Sequence, residues 1–282
     1  MSLVRIPSAA GSSSRHLAVP FRMPILRGAA GRFRTGAVDR MVAERQGHGL
    51  GAYMWPYVSF LVIVEVSRRF SDDFGPFFLL LKVAVPLGLL AWYFRRGAYP
   101  ELRGYAWRAT DVLQDVAVGV VGAAIWMAPY ILSDSMRPDG EGAFDPNQFG
   151  PSLAWLALSL RAVGYGVATP FIEELFVRSW LHRYIEVFDR RVDFRDIPIG
   201  RYSRRSLAVV VVWFTFTHVA WEWPVAVAWI LLTQLWFYHR RSLVSMVLVH
   251  SGSNLSILAF VIAFSGTFVD GQGRPIDLWF FV

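Results

Sequence analysis

The feature that most constrains this chain is a series of seven apolar segments separated by short charged loops. A helix that crosses a bilayer needs about 20 mostly apolar residues. Composition agrees, because 55% of the residues are hydrophobic and only 17% are charged, whereas soluble domains carry about 25% charged residues. The sequence therefore predicts an all-α fold, a polytopic transmembrane helical bundle of about seven spans. The predicted spans are 52–66, 76–94, 110–132, 151–181, 206–222, 223–239 and 242–264.

The chain divides into four regions by composition. Residues 1–50 are rich in Arg, Gly and Ser and contain no long apolar run, so we predict a flexible cytoplasmic tail. Residues 51–150 form N-terminal transmembrane helices, and residues 151–264 hold the unusual polar residues of the spans. Residues 265–282 form a C-terminal tail that is too short to cross.

The loops alternate in charge along the chain. The tail 1–50 carries eight Arg, the loop 95–109 is basic, and the loop 133–150 is mainly acidic. Because cytoplasmic loops are enriched in Lys and Arg, the pattern places the N-terminus in the cytoplasm and the C-terminus outside. We expect a multi-pass protein of the inner (plasma) membrane. The net charge of +7 is explained by these loop signals, so nucleic acid is not an expected partner.

Several ionisable residues fall within predicted spans, where each costs about 2.5–3.5 kcal/mol on insertion scales. Glu65, Lys82 and Arg161 are isolated from one another, and we interpret each as a snorkelling residue or a member of an interhelical ion pair. Asp111 and Asp115 lie near a span end and are expected at the interface.

The segment 171–178 concentrates charge on one helix. Glu173 and Glu174 are adjacent carboxylates that repel each other and lose hydration, while Glu174 and Arg178 are spaced i, i+4 and can pair. This spacing leaves Glu173 without a helical partner. A free carboxylate in a dry site can act as a base or metal ligand, although a purely structural charge triad explains the segment equally well.

Two further spans carry polar residues at matching depth. His218 ends the fifth span, and the seventh contains His250 and Asn254 at i, i+4. Counted at 1.5 Å per residue from the cytoplasmic ends, Glu173 and His250 lie about 12 Å deep, and His218 and Asn254 about 18 Å. This alignment favours one shared site over unrelated packing residues.

The candidate site can activate water. Glu173 can accept a proton, an imidazole or a His-bound metal can hold the water, and Asn254 with His250 can donate to an oxyanion. Cysteine is absent, so any metal would use His, Asp, Glu or Asn. The chain lacks the HExxH, Gly-x-Ser-Gly and Gly-x-Gly-Asp patterns of other proteases. Ser251 and Ser253 are interpreted as small residues at a helix interface.

These residues resemble the motifs of the CPBP family of intramembrane proteases, named for CAAX-protein and bacteriocin processing. Glu173, Glu174 and Arg178 match Glu-Glu-x-x-x-Arg. Phe214 and His218 match Phe-x-x-x-His, and His250 and Asn254 match His-x-x-x-Asn. The motifs occur in the family's order, and the similarity covers a CPBP-like catalytic transmembrane core at 151–264. Stretches at 54–57, 144–147 and 196–200 also resemble a bacterial CAAX prenyl protease-related subgroup that is associated with exosortase systems.

The resemblance implies an intramembrane endopeptidase that cleaves a membrane-associated peptide or protein, in a bundle that often has eight spans. Glu173 and His218 would activate water, His250 and Asn254 would stabilise the oxyanion or help to hold a metal, and Glu174 and Arg178 would orient the site. One divalent metal, most plausibly zinc bound by Glu173, His218 and His250, is an open alternative to direct water activation. The resemblance also raises an exosortase-system partner. Two other functions are left open: a non-catalytic immunity or assembly factor, and less favourably an ion or proton transporter.

Overall fold

A computed structural model describes residues 49–70, 75–138 and 143–282, and in these ranges the chain forms seven long helices. The predicted all-α helical bundle is confirmed, with a helix at each of the seven predicted segments. Nearly all of the predicted tail 1–50 lies outside the described residues. The helices are α1 Gly49–Ser67, α2 Gly75–Arg95, α3 Ala109–Leu132, α4 Pro151–Tyr184, α5 Arg204–Phe216, α6 Trp223–Arg240 and α7 Leu243–Phe264.

Five of the seven helices, namely α1, α2, α3, α4 and α7, are long and apolar enough to cross a membrane. The fifth predicted span is shorter than expected, because α5 ends at Phe216 after 13 residues. At 1.5 Å per residue such a helix is about 20 Å long, less than the roughly 30 Å of a bilayer core. The sixth helix has 18 residues, and polar residues such as Gln234 reduce its apolar character.

The core of the bundle is a close contact between α3 and α7, which depends on glycine. A Cβ at Gly119 would lie 2.9 Å from the backbone nitrogen of Ser253, and one at Gly122 would lie 2.9 Å from Trp229 Nε1. Small residues let two helix backbones approach closely in a membrane. This contact agrees with the packing interpretation of Ser253, whose Oγ accepts a hydrogen bond from Trp229 Nε1 at 3.1 Å.

Helix α4 is continuous over 34 residues but changes its winding twice. Wider, π-type turns occur at Gly164–Ala168 and at Glu174–Leu181. The first lies directly before Thr169 and Pro170, where proline removes a backbone donor from the helix. Such π-type turns are uncommon and occur frequently at functional sites. Here Glu173 lies between the two π-type turns, and Glu174 is the first residue of the second.

Asp115 forms a buried junction that the sequence analysis did not predict, and its expected place at the membrane interface stays a prediction. Its side chain is fully buried and joins α3 to α6, α7 and the loop before α3. Tyr105 Oη donates to it at 2.8 Å, Trp236 Nε1 at 2.8 Å and Ser245 Oγ at 2.6 Å. Arg240 Nε lies 3.2 Å away and supplies the countercharge. The carboxylate is therefore a structural junction, because a buried charge is stable only when it is paired and hydrogen-bonded.

The predicted C-terminal tail folds back onto the bundle. The backbone of Ile276 pairs with Gly266 and with Phe268, at 2.9 Å and 2.8 Å, to close the turn. Leu278 and Phe281 are then buried, and Tyr165 Oη donates to the carbonyl of Phe281 at 3.4 Å. The segment thus covers one end of the space between α3 and α4.

Candidate active site

Glu174 is the most completely paired charge of the candidate site. Its carboxylate is 1% exposed and accepts from Arg178 Nη1 through both oxygens, at 2.5 Å to Oε1. Arg178 Nη2 also donates to Thr233 Oγ1 on α6 at 2.6 Å. The i, i+4 pair predicted from the spacing is therefore present, and it is buried inside the bundle. The pair connects α4 to α6.

His250 is a second partner of Glu174 that the sequence analysis did not assign. Its Nδ1 lies 2.9 Å from Glu174 Oε1, in the position of a donor to the carboxylate. The other ring nitrogen, Nε2, lies 4.0 Å from Glu173 Oε2. Because the first contact fixes the ring, His250 turns Nε2 towards the free carboxylate. A carboxylate that orients a histidine in this way is a common arrangement in catalytic sites.

Glu173 is the least restrained of these side chains. It is 22% exposed, and its one ion-pair contact among the described residues is the 4.0 Å approach of His250 Nε2. Glu174 is bound by two donors and Glu173 by none at hydrogen-bond distance, so the difference expected from the sequence is present in the geometry. A carboxylate with free lone pairs that faces a cavity is suited to accept a proton from water.

His218 lies two residues beyond the end of α5, in the connection to α6. Its Nδ1 is 2.7 Å from the carbonyl oxygen of Phe214, so Nδ1–H donates to the backbone and the neutral ring keeps a lone pair on Nε2. Aromatic rings hold the imidazole from two sides, with Phe214 at 4.4 Å and Trp126 at 5.3 Å between ring centroids. This histidine is therefore presented to the cavity in one tautomer.

Asn254 follows His250 by one turn of α7. Its Nδ2 donates to the carbonyl oxygen of Tyr165 at 2.8 Å, within the first π-type turn of α4. One N–H of the amide is used in this bond, and the second N–H and the amide oxygen stay available. The wide turn thus supplies the carbonyl that positions Asn254.

These side chains line one cavity of about 230 Å³, which has room for several water molecules at about 30 Å³ each. The depth alignment expected from the sequence is realised as one shared space. Glu174 and Arg178 support the wall without lining it. The predicted residues that line the cavity are Glu173, His218, His250 and Asn254.

As arranged, the residues do not fit a metal centre. Within the described ranges, no group of three His, Asp or Glu side chains is close enough to hold an ion. Both Nδ1 atoms already have partners, and His250 Nε2 and Glu173 Oε2 are 4.0 Å apart. Ligands of a zinc ion at about 2.0–2.2 Å would need to converge further.

Two residues at the cavity were missed by the sequence analysis. Trp229 on α6 stacks on Phe214 at 5.0 Å and meets the ring of His250 at 4.9 Å, so one indole supports elements of two motifs. Glu222 lines the cavity from the connection between α5 and α6. The position of Glu222 four residues after His218 could have indicated from the sequence that it lies near the site. Trp229 gave no signal in a chain with 12 Trp.

The isolated charges behave differently from one another. Glu65 pairs with Arg69 at 2.9 Å and Arg68 at 3.8 Å on the exposed end of α1. These pairs are local to one segment, so the interhelical pair is not found for Glu65. Lys82 and Arg161 have no carboxylate partner within the described ranges, and for all three residues the snorkelling alternative stays a prediction.

Comparison with known proteins identifies the segment that carries the motifs. Residues 153–256 match the family described as type II CAAX prenyl endopeptidase Rce1-like, over somewhat more than a third of the chain. The match confirms the similarity to CPBP proteases and indicates intramembrane protease activity in general terms. The exosortase-associated subgroup stays a prediction. No curated protein and no solved structure matches the chain.

The burial of Glu174 predicts the effect of Arg178→Ala on folding. The substitution leaves a buried carboxylate without its main cation, which costs roughly 3–5 kcal/mol of unfolding free energy. Arg69→Ala is the matched control, because Arg69 and Glu65 share the i, i+4 spacing but are exposed, and should cost less than about 1 kcal/mol. Denaturant unfolding in detergent micelles measures both. Equal losses for the two variants would show that Arg178 does not stabilise a buried charge.

Proposed function

We propose that this protein is an intramembrane endopeptidase that hydrolyses a peptide bond of a membrane-associated substrate, with Glu173 and His218 activating the water. The observation that carries the proposal is the convergence of Glu173, His218, His250 and Asn254 on one cavity from three separate parts of the chain. The match of residues 153–256 to a CAAX endopeptidase family supports the reaction class. The proposal assigns no particular substrate.

The proposed reaction begins with a water held by two acceptors. Glu173 takes one proton, and the lone pair on His218 Nε2 accepts a hydrogen bond from the other, so the water oxygen attacks the scissile carbonyl. The Glu173 carboxylic acid then returns the proton to the leaving nitrogen as the C–N bond breaks. Each proton and electron pair is accounted for without another reactant.

The oxyanion formed by this attack needs donors that are already in place. Asn254 offers its second Nδ2–H, because the first is held by Tyr165. His250 acts as a donor at Nε2, which requires the doubly protonated ring because Nδ1–H is committed to Glu174. Glu174 and Arg178 are positioning residues in this scheme, since Glu174 contacts the ring of His250 and Arg178 binds Glu174.

Glu173→Gln tests the proposed base. The amide keeps the size of the side chain but cannot accept the proton, so proteolysis should fall by about 10²–10⁴-fold while thermal stability changes little. Substrates are identified by comparing new protein N-termini in membranes from cells that express the wild type and the variant. The rate is then measured on a purified substrate. Glu65→Gln is the matched control, as it removes an exposed carboxylate from another helix and should leave the rate unchanged.

Wild-type rates in Glu173→Gln would refute the assignment of the base. A biological role that survives loss of both His218 and His250 would favour the non-catalytic immunity or assembly factor. The exosortase-system partner remains a prediction from the resemblance, and membrane proteins that copurify with the chain test it.

Metal assistance is the variant of this mechanism in which Glu173, His218 and His250 bind one divalent ion, with zinc the best match to such ligands. A bound ion would lower the pKa of its water and polarise the carbonyl. The separation of the donors supports the direct mechanism instead. We therefore expect purified protein to contain much less than one zinc per chain and to resist chelators. Stoichiometric zinc that His218→Ala or His250→Ala releases would establish the metal mechanism.

We further propose an inner-membrane location with the N-terminus in the cytoplasm, on the basis of the loop charges. Reporter fusions after residues 105, 140, 195 and 275 are expected to report cytoplasm, outside, cytoplasm and outside. A cytoplasmic signal at residue 140 would contradict this orientation. If the fusions after residues 195 and 275 report the same side of the membrane, α5, α6 and α7 together make an even number of crossings.

A further inference from the structure

Two cations that line an internal cavity, Lys82 and Arg161, have no ion pair among the described residues. Lys82 on α2 and Arg161 on α4 form no ion pair there, and Arg161 Nε is buried without a hydrogen-bond partner. The two buried arginines of the described bundle, by contrast, are paired: Arg178 binds Glu174, and Arg183 lies 3.2 Å from Glu101.

The surroundings of these two cations add positive charge and aromatic rings. Lys82 and Arg161 line one cavity together with a third cation, Arg68. Arg161 packs its guanidinium against Phe144 at 5.3 Å and Tyr165 at 5.4 Å to the ring centroids. Like charges in an apolar setting repel one another, so the cluster is most stable when an anion binds between them.

The space around these side chains leads to the candidate active site. Arg161 lines the cavity that contains His218 and His250, and it also lines a second cavity of about 440 Å³. Lys82 lines the second cavity as well, and Glu173 lines both. A ligand in the second cavity can therefore contact Lys82, Arg161 and Glu173 together.

We propose that Arg161 and Lys82 form an anion subsite that binds a carboxylate of the peptide substrate on one side of the scissile bond. The identity of the ligand as substrate rests on the proposed function. Guanidinium binds carboxylate through paired hydrogen bonds, and Lys82 adds a point charge. Arg161 precedes Glu173 by 12 residues, about 18 Å of helix, which an extended peptide covers in about five residues. The carboxylate belongs either to the chain terminus or to an acidic side chain within that distance.

The test measures binding and not cleavage. The full chain carries Glu173→Gln to prevent turnover and is placed in nanodiscs of phosphatidylcholine, which has no net charge. Three fluorescent peptides are compared by anisotropy. They are dansyl-Leu-Leu-Phe with a free carboxyl terminus, its terminal amide, and the amide of the same peptide with Glu replacing the central Leu.

We expect at least one peptide that bears a carboxylate to bind about tenfold or more tightly than the neutral amide. Arg161→Gln and Lys82→Gln should each reduce that preference severalfold. Arg161→Lys should retain part of it, because the charge remains while the paired hydrogen bonds are lost. Arg191→Gln is the matched control, an exposed arginine in the 185–203 connection, and should keep the full preference. Melting temperatures confirm that each variant is folded.

The three peptides distinguish the two sources of carboxylate, and either result supports the subsite. Absence of an acid preference overturns it, whether all peptides bind equally or none binds. The nanodiscs are also prepared with phosphatidylglycerol. Thermal stabilisation by this lipid that requires Arg161, together with no acid preference, would assign the cations to a lipid phosphate and overturn the peptide subsite. If the acidic peptides bind preferentially but the wild-type protein cleaves no substrate, the proposed function is refuted and the anion subsite is not. Failure of the subsite and failure of the proposed function are therefore distinguishable.

Discussion

The buried charge on Glu174 is the interaction on which the rest of this site depends. Its carboxylate is held by Arg178 from the same helix and by His250 from α7, and Arg178 reaches Thr233 on α6. Three helices are thereby tied together where water is excluded and an unpaired charge would be most costly. The same contacts orient His250 and leave Glu173, of the two adjacent carboxylates, facing the cavity. Stability and geometry of the site thus have a common origin.

The other requirement is that polar groups reach the middle of an apolar bundle without leaving backbone groups unpaired. For His218 this is achieved by the end of α5 at Phe216, because the ring then donates to the carbonyl oxygen of Phe214. For Asn254 it is achieved by the π-type turn at Gly164–Ala168, because the amide donates to the carbonyl oxygen of Tyr165 in that turn. Irregular backbone at membrane depth is tolerated where it lines a polar cavity. The local departures from ideal α-helix therefore occur where the candidate site needs them.

Much of this organisation could be predicted from the sequence, because hydropathy and helical spacing are local signals. The seven helices, the pair of Glu174 with Arg178, and the meeting of Glu173, His218 and His250 in one cavity follow from counting residues. The bond from His250 to Glu174 could not be predicted, since it joins positions 76 residues apart. The burial of Asp115 was missed for the same reason. Its partners Tyr105, Trp236 and Ser245 meet only after α3, α6 and α7 have packed. The shared cavity of Arg161 and Lys82 also joins distant positions and could not be predicted from local spacing.

The central claim is that Glu173 and His218 act on one water molecule, and a double-mutant cycle tests it most directly. Proteolysis is measured for Glu173→Gln, for His218→Ala and for the combined variant, with each protein shown to be folded by its melting temperature. Residues that act as a unit have strongly non-additive effects. The account predicts that the combined variant is no slower than the worse single variant, within a small factor. Losses that multiply would show that the two residues act independently and would contradict a shared water.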